Sequence, residues 1–249
     1  MKKISLKLMV LITYVVMIFV NWLANALPIN NITPSEVSDM FSNPFVPTGF
    51  TFSIWGLIYL FLGIYVIYQL IKDHSLFEDI SKLFIVTSIA NALWIFSWHY
   101  LYIGISLILM IIILLLLIKI SLIISKSNFT RKDFFLIKVP FSVYFGWITV
   151  ATIANVFAFL ISLGWEGFGI SLWIWTVILI IIGTIIGILV SLKNKDIPYC
   201  LTLIWAFFGI LFRHIYELNL KYEPIIVITL TSIVLFISTI IYLIYEDIR

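Results

Sequence analysis

Tryptophan and asparagine side chains recur at helical spacing in the apolar stretches of the sequence. Asn91 and Trp94 are three residues apart, and Asn155 follows Trp147 by eight residues, so each pair lies on one face of a helix. An amide in hydrocarbon is costly unless it bonds to a neighbouring helix or to a ligand. Either these amides connect helices, or they line, with Trp55, an aromatic cavity of the kind that takes a flat apolar ligand.

Other residue types that carry chemistry are sparse. The three histidines are scattered, Cys200 is the single cysteine, and the sequence has no metal-ligand spacing, nucleophile motif or glycine-rich phosphate loop. A net charge of +3 from 15 basic and 12 acidic residues is too small for a nucleic-acid surface. We therefore expect no catalytic residue of these kinds, no metal, no cofactor and no nucleic-acid partner.

The elements that must position these side chains are membrane helices. Of the 249 residues, 63% are hydrophobic and 11% are charged, whereas a soluble domain carries about 25% charged residues. The mean hydropathy is +1.19. Long apolar stretches without strand-like alternation exclude an outer-membrane barrel. The composition predicts an all-α, polytopic bundle of transmembrane helices in a lipid membrane.

Polar segments divide the chain into eight predicted spans, because one crossing takes about 20 apolar residues. We expect the first apolar run, which ends near Leu27, to be a retained helix rather than a cleaved signal peptide. The separating segments are 30–43, which is expected to be a long loop, then 72–79, a turn at Gly104, 126–138, 164–167, 193–196 and 213–223.

The distribution of basic residues supports this number of spans. With the amino terminus in the cytoplasm, thirteen of the fifteen basic residues fall on the cytoplasmic side. They are Lys2, Lys3, Lys7, Lys72, Lys82, Lys119, Lys126, Arg131, Lys132, Lys138, Lys193, Lys195 and Arg249. Arg213 and Lys221 fall on the outer side. Both termini are therefore predicted to be cytoplasmic.

Arg213 and His214 lie near the outer end of the seventh predicted span. Glu217 follows Arg213 by four residues, the spacing of an ion pair within a helix. Alternatively, Arg213, His214 and His99 form a cationic outer rim for an anionic ligand. Carboxylates within the spans are nearly absent, which argues against a proton-coupled transporter or pump.

Three segments together resemble the TspO family, also called translocator or tryptophan-rich sensory proteins. They lie in the second, third and fifth predicted spans. The matching positions are Pro47, Trp55, Tyr59 and Gly63, then Asn91 and Trp94, then Trp147, Ala151, Thr152 and Asn155. The resemblance covers residues 1–163, a five-span unit such as the family has. Residues 164–249 are then three additional transmembrane helices.

The chain departs from the family pattern around the loop that covers the family's ligand. Val46 replaces a proline, Phe52 replaces a glycine, and no Trp-Tyr pair occurs between Glu36 and Phe41. Pro140 also lies three residues farther from the fifth-span tryptophan than is usual. The resemblance therefore implies a pocket without fixing the identity of its ligand.

The resemblance implies an integral membrane protein that binds a planar hydrophobic ligand in an aromatic intramembrane pocket, as a sensor or sequestering protein. The implied ligand is tetrapyrrole- or porphyrin-like, with a sterol or isoprenoid as alternatives. Trp55 and Trp147 would stack on it, Asn91 would bond to its polar edge, and Ala151 would keep one wall low. The implied ligand-binding residues are Trp55, Tyr59, Asn91, Trp94, Trp147, Ala151 and Asn155. Five-span relatives are commonly dimers, so the resemblance implies a homodimer. It also implies a location in a bacterial cytoplasmic membrane.

Three other functions stay open. Some family members are proposed to break down porphyrin in light, and Trp55 and Trp147 would then be redox groups of an enzyme. A facilitator of the passage of a small amphiphile would use the three added helices as a pathway. In an interaction subunit, the GxxxG pattern of Gly183 and Gly187 would be a docking face.

Overall fold

The computed structural model describes residues 3–27, 29–41, 43–127 and 129–248. Lys2 and Arg249, counted above among the basic residues, lie outside the described residues. The main helices are α1 (Lys3–Ala26), α2 (Pro34–Met40), α3 (Ile54–Ile71), α4 (Phe77–His99), α5 (Ile103–Ser125), α6 (Val139–Ser162), α7 (Leu172–Asn194), α8 (Ile197–Phe212) and α9 (Glu223–Ile248). Shorter helical turns are Ile29–Asn31, Gly49–Ser53, Arg131–Asp133, Phe134–Lys138, Gly167–Gly169 and Arg213–Glu217. No strand occurs in the described ranges.

Eight helical segments of the described chain are long and apolar enough to cross a membrane. They are Ile4–Ala26, Gly49–Ile71, Phe77–His99, Ile103–Ser125, Arg131–Ser162, Leu172–Asn194, Ile197–Glu217 and Glu223–Glu246. The all-α class and the predicted number of spans are thus confirmed. With an even number of crossings, α1 begins and α9 ends at the same face, which we call the inner face. Its location in the cytoplasm of a bacterium remains a prediction.

The segment expected to be a long polar loop contains the short helix α2. The Thr33 hydroxyl accepts a hydrogen bond from the Glu36 backbone N–H, and the Glu36 carboxylate accepts one from the Thr33 backbone N–H at 2.6 Å. These bonds from Thr33 lower the pKa of the Glu36 carboxyl. Pro34 occupies the first turn of the helix, where no backbone donor is needed. The outer loop is therefore a structured element rather than a flexible connection.

Helix α6, which forms most of the fifth span, lies between the first four spans and the last three. It contacts α3 and α5 on one side and α8 on the other. Where α6 meets α8, a Cβ atom on Gly146 would lie 2.8 Å from the Thr202 Cβ and 2.9 Å from the Tyr199 carbonyl oxygen. Glycine thus allows the two backbones to approach closely. One helix therefore serves both parts of the bundle, while the division of the chain at residue 163 remains a prediction.

The two glycines of the GxxxG pattern are buried inside the chain. A Cβ on Gly187 would lie 2.4 Å from the Leu203 side chain and 2.7 Å from the Phe236 ring, and one on Gly183 would contact the Phe207 ring at 3.5 Å. This face of α7 therefore packs against α8 and α9. The hypothesis that it is a docking face for another protein is wrong, because α8 and α9 already cover it.

Asp196 begins helix α8 at the inner face and is buried. One carboxylate oxygen accepts a hydrogen bond from the Tyr199 backbone N–H at 3.1 Å, and the other accepts one from the Ser142 hydroxyl at 2.6 Å. Burial raises the pKa of the Asp196 carboxyl, although Ser142 and the nearby Lys138 oppose the effect. The residue both caps α8 and joins it to α6.

Replacing Asp196 tests this role. We expect Asp196→Ala to destabilise the protein by about 0.5–2 kcal/mol, because the helix loses its cap. In Asp196→Asn the amide keeps the cap. Since the folded-state pKa is raised, the native protein holds this proton at higher pH than the unfolded chain does. Stability should therefore fall as pH rises from about 4, the ordinary range of aspartate, through the folded pKa. Thermal unfolding in detergent at several pH values measures both effects, and an unchanged pH slope in Asp196→Asn would contradict the second.

Candidate functional site

Four tryptophans surround a small buried cavity between α3, α4 and α6. Three of them, Trp55, Trp94 and Trp147, come from the sequence prediction, and Trp98 is the fourth. The ring centroid of Trp55 lies 5.8 Å from that of Trp94 and 6.1 Å from that of Trp147. All four side chains are at least nine-tenths buried. Ala151 and Asn155, two further predicted site residues, lie in the α6 wall of the cavity.

Two indole N–H groups of this cluster lack a hydrogen-bond partner. The Nε1 atoms of Trp94 and Trp147 are both buried and unpaired, whereas Trp98 Nε1 donates to the Pro34 carbonyl oxygen at 3.0 Å. An unsatisfied buried donor costs about 1–3 kcal/mol. A ligand with a hydrogen-bond acceptor would remove this cost, so the cavity has aromatic faces together with two unused donors.

Two predicted site residues lie away from the cavity wall. Asn91 accepts a hydrogen bond from the Asn21 amide at 2.7 Å and donates one to the Tyr144 hydroxyl at 3.1 Å. It therefore joins α1, α4 and α6, which matches the interpretation of the amides as interhelical connections. Tyr59 stacks on Trp55 with ring centroids 5.4 Å apart. Tyr59 thus packs against Trp55 outside the cavity wall. Asn155, in contrast, lies at the cavity, and its side-chain oxygen accepts a hydrogen bond from the Ser106 hydroxyl at 3.2 Å.

The position of Asn91 leads to a testable distinction. We expect Asn91→Ala to lower the stability of the bundle by roughly 0.5–2 kcal/mol, because Asn21 and Tyr144 lose a buried partner. The affinity of the folded protein for a ligand in the cavity should stay within about twofold of the original, since this amide does not reach the wall. Thermal unfolding and a ligand titration on the same detergent preparation separate the two effects. A large loss of affinity at unchanged stability would show instead that Asn91 is a ligand-binding residue.

Several wall residues are absent from the sequence prediction. Trp98 follows Trp94 by four residues and stacks on it with centroids 5.9 Å apart, so helical spacing could have identified it. Met110 of α5 carries no such signal. Phe52 packs edge-on against Trp147 at 5.9 Å, although in the sequence it is only a departure from the family pattern. The remaining wall residues are Ser38, Val46, Pro47, Val150, Ala154 and Ala158.

Residues 43–53, which we call the lid segment, cover the cavity from the outer side. Val46, Pro47 and Phe52 belong to both the lid segment and the cavity wall. Phe45 and Val46 are almost fully buried. With this cover in place the cavity has a volume of about 40 Å³, far below the roughly 300–1,000 Å³ of pockets that hold drug-sized ligands. In this structure the covered cavity is therefore too small for a ring system.

Helix α8 holds the backbone of the lid segment. The Thr48 backbone N–H donates to the Gly209 carbonyl oxygen at 3.2 Å, and the Trp205 indole N–H donates to the Thr51 carbonyl oxygen at 3.0 Å. A Cβ on Gly209 would lie 2.1 Å from the Thr51 hydroxyl oxygen. Only glycine at this point of α8 leaves room for the lid segment to lie so close.

The π-helical turn Arg213–Glu217 adds polar contacts to the same segment. His214 Nε2 lies 2.8 Å from the Pro44 carbonyl oxygen, and the Thr48 hydroxyl donates to the Glu217 carboxylate. Arg213 pairs with Asp39 of α2 at 2.7 Å and also lies 3.4 Å from the Pro47 carbonyl oxygen. Thus the seventh span fixes both ends of the cover over the aromatic cavity.

The predicted cationic rim is not assembled in this structure. His99 and His214 are fully buried, and His99 Nδ1 is engaged by the Ile95 carbonyl oxygen at 2.8 Å. Arg213 is 3.9 Å from Glu217, the predicted partner, but its closer partner is Asp39. An outer cavity of about 620 Å³ is lined by Arg213 and, among the described residues, by neither histidine. An anionic ligand at a three-residue rim therefore stays a prediction without geometric support here.

The fold and site define the class of protein: an α-helical membrane bundle with an aromatic cavity beneath its first outer loop. The TSPO-like protein family matches residues 7–245 of the chain, and the chain belongs to this family. The match includes the last three spans as well as the first five. None of the curated proteins and none of the solved structures matches the chain. The predicted family resemblance is thereby confirmed.

Proposed function

We propose that this protein binds a flat hydrophobic ligand of tetrapyrrole type in the aromatic cavity, as a sensor or sequestering protein. The observation that carries the proposal is the pair of buried, unpaired indole donors of Trp94 and Trp147 beside the faces of Trp55 and Trp98. Aromatic faces stack on a flat ring system, and the two N–H groups fit acceptor atoms at its edge. Asn155 gives the same wall one further polar group.

Binding requires the lid segment to move. A cavity of about 40 Å³ admits no ring system, so the ligand must enter a state in which residues 43–53 have withdrawn. The observed affinity is then the intrinsic affinity reduced by the fraction of protein in the open state. The contacts of α8 and its π-helical turn set this fraction, because they exist only when the lid segment is closed.

A titration with protoporphyrin in detergent and in the dark tests the proposal. We expect saturable binding in the micromolar range or below, read from the porphyrin absorbance band and from tryptophan fluorescence. Trp55→Phe/Trp147→Phe should weaken binding at least tenfold, because each replaced ring loses stacking area and Trp147 also loses its donor. The absorbance band is essential, since removing tryptophans alters the fluorescence signal directly.

Trp22→Phe/Trp173→Phe is the matched control, because it removes two tryptophans that do not line the cavity. It should bind as the original protein does. Non-saturable changes that are equal in all three proteins would overturn the tetrapyrrole assignment. Bleaching of bound porphyrin under illumination, lost in Trp55→Phe/Trp147→Phe, would instead identify the light-dependent degradation that the sequence left open.

A further inference from the structure

A groove of about 640 Å³ runs along the membrane-facing side of the bundle between α3, α6 and α8. Its walls are almost entirely apolar, with Leu57, Phe61, Val143, Leu201 and Trp205 among them. Leu57 and Leu201 are 44% and 53% exposed, so the groove opens toward the surrounding lipid. It is separate from the aromatic cavity, which lies on the other side of the turn that precedes α3.

The inner end of the groove is lined by Phe134 and Phe135, and its other end by Ser53 of the lid segment and Trp205 of α8. Along α8 it extends from Ile197, the first residue of the helix, to Trp205. Eight residues of α-helix rise about 12 Å, and half of a hydrocarbon core is about 15 Å. The groove is therefore long enough to hold one acyl chain that enters from the inner face.

Basic residues surround the inner end of the groove. Phe134 and Phe135 line this end, and Arg131 and Lys132 directly precede them. Lys193 lies just before Ile197 at the other side. All three basic side chains are exposed. Asp133, the acidic residue of this turn, accepts a hydrogen bond from the Tyr68 hydroxyl at 2.8 Å and keeps its negative charge. Arg131, Lys132 and Asp133 together therefore carry one net positive charge, to which Lys193 adds a second.

We propose that this groove is a binding site for an anionic phospholipid, with one acyl chain in the groove and the phosphate beside Arg131 and Lys132. An apolar channel at least about 12 Å long, with exposed basic side chains near its inner end, is complementary to such a molecule in polarity and charge. Each basic side chain near a membrane surface strengthens the attraction of an anionic headgroup. A zwitterionic lipid with the same chains would fit the groove but gain little from the cations.

The experiment compares phosphatidylglycerol with phosphatidylethanolamine of identical acyl chains. Delipidated protein in detergent is titrated with each lipid, and bound lipid is counted by native mass spectrometry. Phosphatidylglycerol should bind about tenfold more tightly. Arg131→Gln/Lys132→Gln should reduce its affinity to that of phosphatidylethanolamine, and Leu201→Trp should weaken both lipids by filling the groove.

Two control variants change equivalent residues elsewhere. Lys82→Gln/Lys126→Gln removes two other charges of the inner face, and Leu230→Trp enlarges a leucine that is 45% exposed on α9. Both should bind phosphatidylglycerol as the original protein does. Equal affinity for the two lipids, or unchanged binding in Leu201→Trp, would overturn the proposal. A dimer that Leu201→Trp converts to monomer would also overturn it, because the groove would then be a contact between copies.

Discussion

We expect Arg213→Ala/His214→Ala to raise the affinity of the aromatic cavity for protoporphyrin about tenfold to a hundredfold. These two side chains hold the lid segment and α2 only in the closed state, through Pro44, Pro47 and Asp39. Removing them changes no contact that the open protein or the ligand makes. It raises the fraction of open protein, and the observed affinity rises in proportion.

The size of the effect follows from the contacts that are lost. A hydrogen bond to a charged group contributes about 1.5–3 kcal/mol and a neutral one about 1 kcal/mol. The Arg213–Asp39 pair has a carboxylate that is 53% exposed, so solvent screening limits its share to about 1 kcal/mol or less. A total of about 1.4–2.7 kcal/mol corresponds to the stated range.

The sign of this result separates two interpretations of Arg213. If Arg213 bound an anionic ligand at an outer rim, its loss would lower the affinity instead of raising it. Equilibrium titration of the porphyrin absorbance, with association rates from stopped flow, measures the change. Lys221→Ala is the control, because Lys221 lines the same outer cavity as Arg213 but its ammonium lies over the Tyr222 ring. A lower affinity in Arg213→Ala/His214→Ala at unchanged thermal stability would contradict the closed-lid account.

A bulky side chain at Ala151 should abolish ligand binding. Ala151 lies in the α6 wall of the cavity between Trp147 and Asn155, one helical turn from each. A phenylalanine there would occupy the space that a ring system needs even after the lid segment withdraws. We expect Ala151→Phe to weaken protoporphyrin binding more than a hundredfold.

The same titration tests this substitution, with thermal unfolding to show that the bundle is intact. Ala151 is only partly buried, so we expect the bundle to fold with the larger side chain in place. Ala151→Ser, which changes the volume little, should bind as the original protein does. Normal affinity in Ala151→Phe would place the ligand elsewhere, with the outer cavity near Arg213 as the next candidate.

Sequence reasoning locates much of the cavity wall because helical spacing is a geometric constraint. Residues three, four or seven apart face the same direction, so the sequence alone can place Trp94, Trp98, Trp147 and Ala151 on common faces. The same logic assigns Asn91 to the wall, since it shares a face with Trp94. Spacing shows which way a side chain points but not which neighbour it meets, and Asn91 meets Asn21 and Tyr144.

The cover of the site is beyond sequence reasoning for a different reason. The helix α2 could have been predicted, because Thr33 and Glu36 form a capping box and Pro34 lies in the first turn. The partners of the lid segment could not have been predicted. Its contacts with Gly209, His214 and Glu217 join parts of the chain that no local sequence pattern relates. The ion pair of Arg213 is a second example. Helical spacing predicts Glu217 as its partner, but the contact with Asp39 is shorter.

The contact between Thr48 and Glu217 has a consequence for how the protein is made. The two residues are 169 positions apart in the chain, and a ribosome adds about 5–20 residues per second. Roughly 10 to 30 s therefore pass between the synthesis of the lid segment and that of its last partner. During this interval the tryptophans of the second, third and fifth spans can already meet in the bilayer while their cover is unsecured. The proposed ligand would therefore find the cavity most accessible before the seventh span has been inserted.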